Sequence, residues 1–264
     1  MMDDKLLQDV MSKVQAELKA TNGTTPPPTA TTPNSCSLTE FVGTGLGDSI
    51  GLVIANVDQQ LHEQMGIDKK YRSIGILGAR NGAGPEIMAI DEAVKATNTE
   101  VLSVELARDG KGGAGHGSLI IIGSEDVSDA RRAIEVALET LNTVYGDVYG
   151  NAAGHLEFQY TARASYAIEK AFGAPVGKSF GMVCAGPAAI GVVLGDTAVK
   201  AANVSVVSYA SPDNGGTARS NEVIVTMTGD SGAVRQAVIA AREVGLQLLG
   251  AMGDKPESMA TPYI

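Results

Sequence analysis

Tryptophan is absent from this sequence, and cysteine appears at two positions, Cys36 and Cys184. Two thiols so far apart supply neither a disulfide framework nor a zinc cluster, and each reads as a small, partly buried hydrophobe with no redox role. Histidine is scarce. His62, His116 and His155 have no acidic or cysteine neighbour at metal-ligand spacing, so no metal site and no cofactor is expected. Basic charge is in deficit, with 20 Lys and Arg against 30 Asp and Glu and a formal net charge of -10. Nucleic-acid binding rests on clustered cations that release counterions, so nucleic acid is not an expected partner. No apolar run approaches the ~18 residues that span a bilayer, and the opening MMDDKLLQDV lacks the basic region and apolar stretch of a secretion signal. A cytosolic protein with no membrane partner is the expectation.

Glycine is what the chain has in excess: 32 residues, about 12% against a usual ~7%. Much of the backbone must turn tightly or approach other backbone closely. A length of 264 residues suits two domains of about 100 to 150 residues. In the first twenty residues Leu6, Leu7, Val10, Met11, Val14 and Leu18 recur at helical spacing, which predicts an amphipathic helix. The stretch TNGTTPPPTATTPNS, 21 to 35, follows as an extended linker. Residues 1–35 are thus tethered to the body, either to dock on a partner or as a disordered extension.

From residue 36 the chain is written twice. DEAVKATNTEVLSVE at 91 to 105 returns as DTAVKAANVSVVSYA at 196 to 210, RSIGILGA at 72 to 79 as KSFGMVCA at 178 to 185, and DQQLHEQMG at 58 to 66 as SYAIEKAFG at 165 to 173. The offset drifts between 104 and 107, too long for a solenoid unit and right for two whole domains, 36–147 and 148–264, the second with a C-terminal tail. In the first copy the periodicity predicts strands near 50–57, 73–78, 100–106 and 118–122 and helices near 58–65, 85–97 and 127–142; the second copy follows the same order. Pro85 and Pro187 suit a helix's first turn, where a missing N–H loses nothing. Each copy reads as a small α+β layer pair, with a mixed or antiparallel sheet covered by helices.

Motifs of catalysis fail on context. GKGGAG at 110 to 115 has the glycines of a dinucleotide fingerprint, but a strand follows where a helix N-terminus must hold the pyrophosphate. GAPVGKS at 173 to 179 is one residue short of a P-loop and precedes a strand. No G-x-S-x-G elbow occurs, and Glu125 and Asp126 sit where they would cap a helix. No catalytic residue and no enzymatic activity is expected.

The phrases DTAVKAANVSVVSYA and GDSGAVRQAVIAA resemble the signature segments of the bacterial microcompartment (BMC) shell domain. A strand and short helix at 50–65 and 155–172 precede the segment that normally begins that domain, which resembles the circularly permuted tandem subclass. SCSLTEFVGTGLGDSIGLVIANVD, YRSIGILGARNGAGPEIMA, KGGAGHGSLII and HLEFQYTARASYAIEKAFGAP are similar to shell proteins of propanediol-, glycerol- or ethanol-utilising compartments, over residues 36–264. The resemblance implies an α+β fold of two tandem BMC-type (ferredoxin-like) domains, three chains closing into a pseudohexameric homotrimer. It implies a structural tile that forms flat sheets with other shell proteins and conducts small polar metabolites of the diol or glycerol type. It places the protein in the shell of a compartment in the bacterial cytoplasm, with residues 1–20 available to enclosed enzymes.

Carried over by residue, the family's tile-edge lysine falls on Lys95 and Lys200, with Asn98 and Asn203 three positions on. Where single-domain relatives carry an Arg before the second signature, this chain has Ile122 and Thr228, which puts that corner contact in doubt. The loop that lines the central pore in single-domain relatives corresponds to 107–118 and 211–221. Its candidate residues for small polyols are Gly112, Gly113, Gly115, His116, Asn214, Gly215 and Gly216. Permutation can carry those loops off the axis, leaving GARNGAGPE at 78–86 to line side pores through Arg80 and Asn81. Two other readings stand beside the tile: a duplicated-domain protein that binds or senses a small metabolite and, less favoured, an enzyme with its site between the repeats.

Overall fold

Short apolar segments bounded by glycine pair into two sheets of the same design. The computed structural model describes residues 36–106, 117–212 and 222–264. The expected N-terminal helix and linker, and the pore candidates Gly112, Gly113, Gly115, His116, Asn214, Gly215 and Gly216, lie outside the described residues.

In the first repeat the strands are β1 (Phe41–Gly45), β2 (Ser49–Ile54), β3 (Ser73–Ala79), β4 (Glu100–Glu105) and β5 (Ser118–Ser124), and the helices are α1 (Gln59–Gln64), α2 (Gly84–Ala96) and α3 (Val127–Val144). The second repeat has β6 (Val148–Asn151), β7 (Gly154–Thr161), α4 (Tyr166–Phe172), β8 (Ser179–Gly186), α5 (Ala188–Ala201), β9 (Val204–Ala210), β10 (Val223–Gly229) and α6 (Ser231–Gly250), closed by β11 (Glu257–Ser258). Strand order is β1-β2-β3-β5-β4 in one sheet and β11-β6-β7-β8-β10-β9 in the other. Every pairing is antiparallel. Apart from β11 the two orders are the same, so the duplication written in the sequence is a duplication of topology.

Each sheet is covered on one face by its own long helix. In α3 the buried residues Ala130, Ala133, Ile134, Ala137, Leu141 and Val144 recur at intervals of three and four, the stripe of an amphipathic helix. Asp126 caps it by accepting from the Ser128 N–H at 2.9 Å, the role its position predicts. Beneath the helix, Gly51 and Gly75 make room: an added Cβ at either would press into Ile134.

Three details depart from the sequence reading. Both copies begin one strand earlier, with β1 and β6, whose short, glycine-rich sequences carry little periodic signal. Pro187 stands at the N-cap of α5 and not in its first turn, whereas Pro85 lies inside α2. The tail after α6 adds β11 to the second sheet, pairing Glu257 with Gly150 and Ser258 with Tyr149.

The two repeats share a core. The central strand β8 is buried along its whole length. Successive side chains point to opposite faces, so Val183 and Ala185 join the core under α6, while Phe180, Met182 and Cys184 join one that also holds Ile87, Ile90, Ile134 and Ile168. Helix α2 of the first repeat packs on α4 and β7 of the second, and α4 packs on β4.

Candidate functional site

Alternation along β7 sends Leu156 and Phe158 under α6 and turns His155, Glu157 and Gln159 toward α2. The joint between the repeats therefore contains a polar layer in otherwise apolar surroundings. Helix α2 delivers Glu86 to it from its first turn, and Gly84 lets the helix end come close, since an added Cβ there would overlap the Glu157 carboxylate. A cavity of about 30 Å³ lies here, bordered by Gly82, Gly84, Glu157, Met182, Cys184 and Glu222. Leu106 also lines it, so one described neighbour of each glycine segment, Leu106 for the first and Glu222 for the second, borders this cavity.

Glu86 is fully buried. Its Oε1 lies 2.9 Å from Ser49 Oγ and 2.8 Å from the Tyr145 hydroxyl, while Ser49 Oγ is 2.6 Å from the Leu46 carbonyl and Tyr145 OH is 2.5 Å from the Asn81 carbonyl. Burial pushes Glu86 up to about 8, against the bonds from the Tyr145 and Ser49 hydroxyls, which favour the ionised form. Burial, with the Glu222 and Glu86 carboxylates nearby, pushes Glu157 up to about 8 as well, and burial drives the Cys184 thiol well above its ordinary value.

These shifts fix a sign. A carboxyl whose folded value is raised favours folding while protonated, so the contribution is complete below about pH 4.5 and is lost as pH rises through about 8. Denaturant midpoints are expected to fall between pH 5 and 9, and Glu86→Gln with Glu157→Gln should flatten that slope. An unchanged slope in the double variant would contradict the assignment.

Of the alternative pore residues, Arg80 is exposed, and Asn81 is held by the β1–β2 turn: its Nδ2 donates to Asp48 Oδ2 at 3.0 Å and its N–H to the Gly47 carbonyl at 3.1 Å. The tile-edge candidates Lys95, Asn98, Lys200 and Asn203 are all exposed, at corresponding helix ends. Their environments differ. Lys95 Nζ lies 2.6 Å from the buried Asp91, which also accepts from the Ser165 N–H at 2.7 Å, whereas Lys200 pairs at 2.7 Å with an exposed Asp196. Ile122 is fully buried, and Thr228 donates its hydroxyl to the Ser179 carbonyl at 2.7 Å.

Sequence spacing shows no acidic or cysteine neighbour of the histidines at metal-ligand distance, but the fold brings such neighbours to one of them. His155, Cys184 and Glu222 bring one ligand atom each within 4.8 Å of the others, all three buried. They come from β7, β8 and the residue before β10, so strand pairing and not spacing unites them. His62, by contrast, has its Nε2 3.0 Å from the Tyr71 carbonyl.

The BMC domain model matches residues 73–152 and 179–254, one segment in each repeat and together more than half of the chain. The chain belongs to the BMC-domain family of bacterial microcompartment shell proteins. Among its relatives, the bacterial microcompartment shell protein PduB of Citrobacter freundii is 60% identical over 264 residues, 99% of this chain and 97% of that protein. The crystal structure of EtuB from Clostridium kluyveri superposes with a TM-score of 0.84 at 55% identity, covering 87% of this chain and 100% of that one. A trimeric microcompartment shell protein PduB superposes at 0.83 and 54% identity, covering 86% and 100%.

Proposed function

We propose that this protein is a microcompartment shell tile in which three chains close head to tail, with 36–147 and 148–264 supplying the six domains of the ring. One observation carries this reading: residues buried at the joint inside the chain have counterparts that are exposed at its free ends. Ile87 and Met88 on α2 are 1% and 3% exposed, and their equivalents 105 positions on, Val192 and Val193 on α5, are 48% and 44% exposed. Ile168 on α4 is sealed, while its equivalent Leu61 on α1 is 47% exposed; Val101 on β4 is 9% exposed and its equivalent Val206 on β9 52%. Ile50, the counterpart of Glu157 on the receiving face, is 41% exposed. The internal joint sets α2 on α4 and β7, and α4 on β4. Repeated between chains, it sets α5 on the next chain's α1 and β2, and that α1 on β9. Such a contact joins two different surfaces, and it closes as a ring when its rotation divides the circle. The trimeric state of the PduB relative supports three.

In this reading Lys95 and Lys200, with Asn98 and Asn203, edge the tile against neighbouring shell proteins, and small polyols pass or bind at the glycine segments or beside Arg80 and Asn81. The polar joint supports that route, because hydroxyl donors and acceptors there match a hydroxylated solute better than an aldehyde. A metabolite-sensing protein would need no exposed duplicate of its own joint. Shells assembled from variants test both roles. Lys95→Ala with Lys200→Ala should thin the sheets seen by electron microscopy, and Gly113→Trp with Gly215→Trp should slow 1,2-propanediol entry severalfold with trimers intact. Undiminished sheets would remove the edge role, and unchanged flux would exclude the glycine segments as the route.

A further inference from the structure

Three adjacent strands deliver three metal-binding side chains to one point. His155 pairs with Gly186 across β7 and β8, and Val223 pairs with Ala185 across β10 and β8, so Glu222 falls beside Gly186 on the other side. Gly186 has no side chain to fill the row. Across that gap His155 Nε2 and Glu222 Oε2 stand 3.1 Å apart. Cys184, two residues earlier on the same face of β8, completes a triangle whose ligand atoms all lie within 4.8 Å of one another. The three residues are 7%, 5% and 2% exposed for His155, Glu222 and Cys184. His155 Nδ1 is buried and has no hydrogen-bond partner among the described residues. Glu157, opposite Cys184, brings a further carboxylate to the cavity that Cys184 and Glu222 line.

We propose that His155, Cys184 and Glu222 form a binding site for one divalent cation of the zinc type, with the fourth position left to Glu157 or solvent. The donor set is one imidazole nitrogen, one thiolate and one carboxylate, a borderline combination that suits Zn²⁺ or Co²⁺ and not the oxygen-seeking Mg²⁺ or Ca²⁺. Charge closes as well: a thiolate and a carboxylate supply two negative charges for a dication. On binding, the Cys184 thiol releases its proton to solvent and the cation takes its place, with no change of oxidation state. Tetrahedral bonds of about 2.0 to 2.3 Å put ligand atoms roughly 3.3 to 3.8 Å apart, so the side chains need shift by no more than about 1 Å. A bound cation would tie β7, β8 and β10 together beside the N-terminus of α2.

The test uses the full-length protein with Cys36→Ser, which removes the second thiol, freed of metal by a chelator and titrated with Co²⁺. One Co²⁺ per chain is expected, with a thiolate-to-cobalt charge-transfer band and tetrahedral d–d absorption that equimolar Zn²⁺ bleaches. Cys184→Ser should abolish the charge-transfer band and weaken binding more than about 100-fold, beyond what loss of an outer-shell partner does. His155→Gln, which keeps a neutral polar side chain, should weaken it comparably. Absence of the band in the Cys36→Ser protein overturns the site, as does a band that persists in folded Cys184→Ser. If Cys184→Ser does not fold, unchanged Co²⁺ affinity in His155→Gln overturns it equally.

Discussion

Val192→Asp with Val193→Asp is expected to turn the assembly into folded monomers. Both side chains project from α5 into solvent in the single chain, so the substitutions leave its interior untouched, and surface changes of that kind shift stability by only about 0.5 kcal/mol. In the proposed ring the same positions are buried, as Ile87 and Met88 are at the internal joint. Each loses the roughly 1.5 to 3 kcal/mol that burying an aliphatic side chain contributes, and an unpaired carboxylate adds a desolvation cost. A loss of at least about a thousandfold in association at each joint follows. The matched control is Ile87→Asp with Met88→Asp, the same change at the equivalent sealed positions, which should prevent folding outright. Light scattering with circular dichroism separates the two. A Val192/Val193 variant that stays trimeric would show that α5 does not form the joint.

Asp147→Ala is expected to be the most damaging single substitution away from the joint. This buried carboxylate accepts from Arg242 at 2.5 Å and Tyr149 OH at 3.2 Å on one oxygen, and from the Tyr263 and Ile264 N–H groups at 2.8 and 3.0 Å on the other. It therefore pins the tail, whose Tyr263 hydroxyl in turn donates to Gln159 Oε1 at 3.0 Å. Removing the acid leaves the Arg242 guanidinium, whose side chain is 17% exposed, without its counter-charge and with the Ile264 carbonyl at 3.0 Å beside it. Breaking a buried pair from one side costs about 3 to 5 kcal/mol. For a body of this size that corresponds to a fall of roughly 6 to 20 °C in Tm. Tail release should also make residues after α6 cleavable by protease at temperatures where the native protein resists. A Tm within 2 °C of the native value would contradict the role.

Periodicity carried most of the architecture. The stripe of α3, the short apolar run of β3 and the doubled phrase at 91 and 196 each state their structure locally, and the structure repeats it. The polar joint was not legible that way. Glu86, Glu157 and Glu222 are unremarkable acids in sequence; they become a site because Gly84 admits a helix end to the face of a strand 70 residues away. The cluster of His155, Cys184 and Glu222 was hidden for the same reason, its spacing being that of a sheet and not of a motif. One signal was present: strand β7 reads HLEFQY, alternating polar with apolar, in a strand whose neighbour β8 is apolar on both faces. A central strand with a polar alternate face implies that something polar lies against it. The exposed valines of α5 were equally silent, because only comparison with the buried equivalents in α2 shows that they are unpartnered.

Sedimentation equilibrium of the full-length protein tests the central claim most directly. If the internal joint is repeated between chains, a single species of three times the chain mass should persist across a hundredfold range of concentration. A monomer, or an assembly built on two-fold pairs, would contradict the ring.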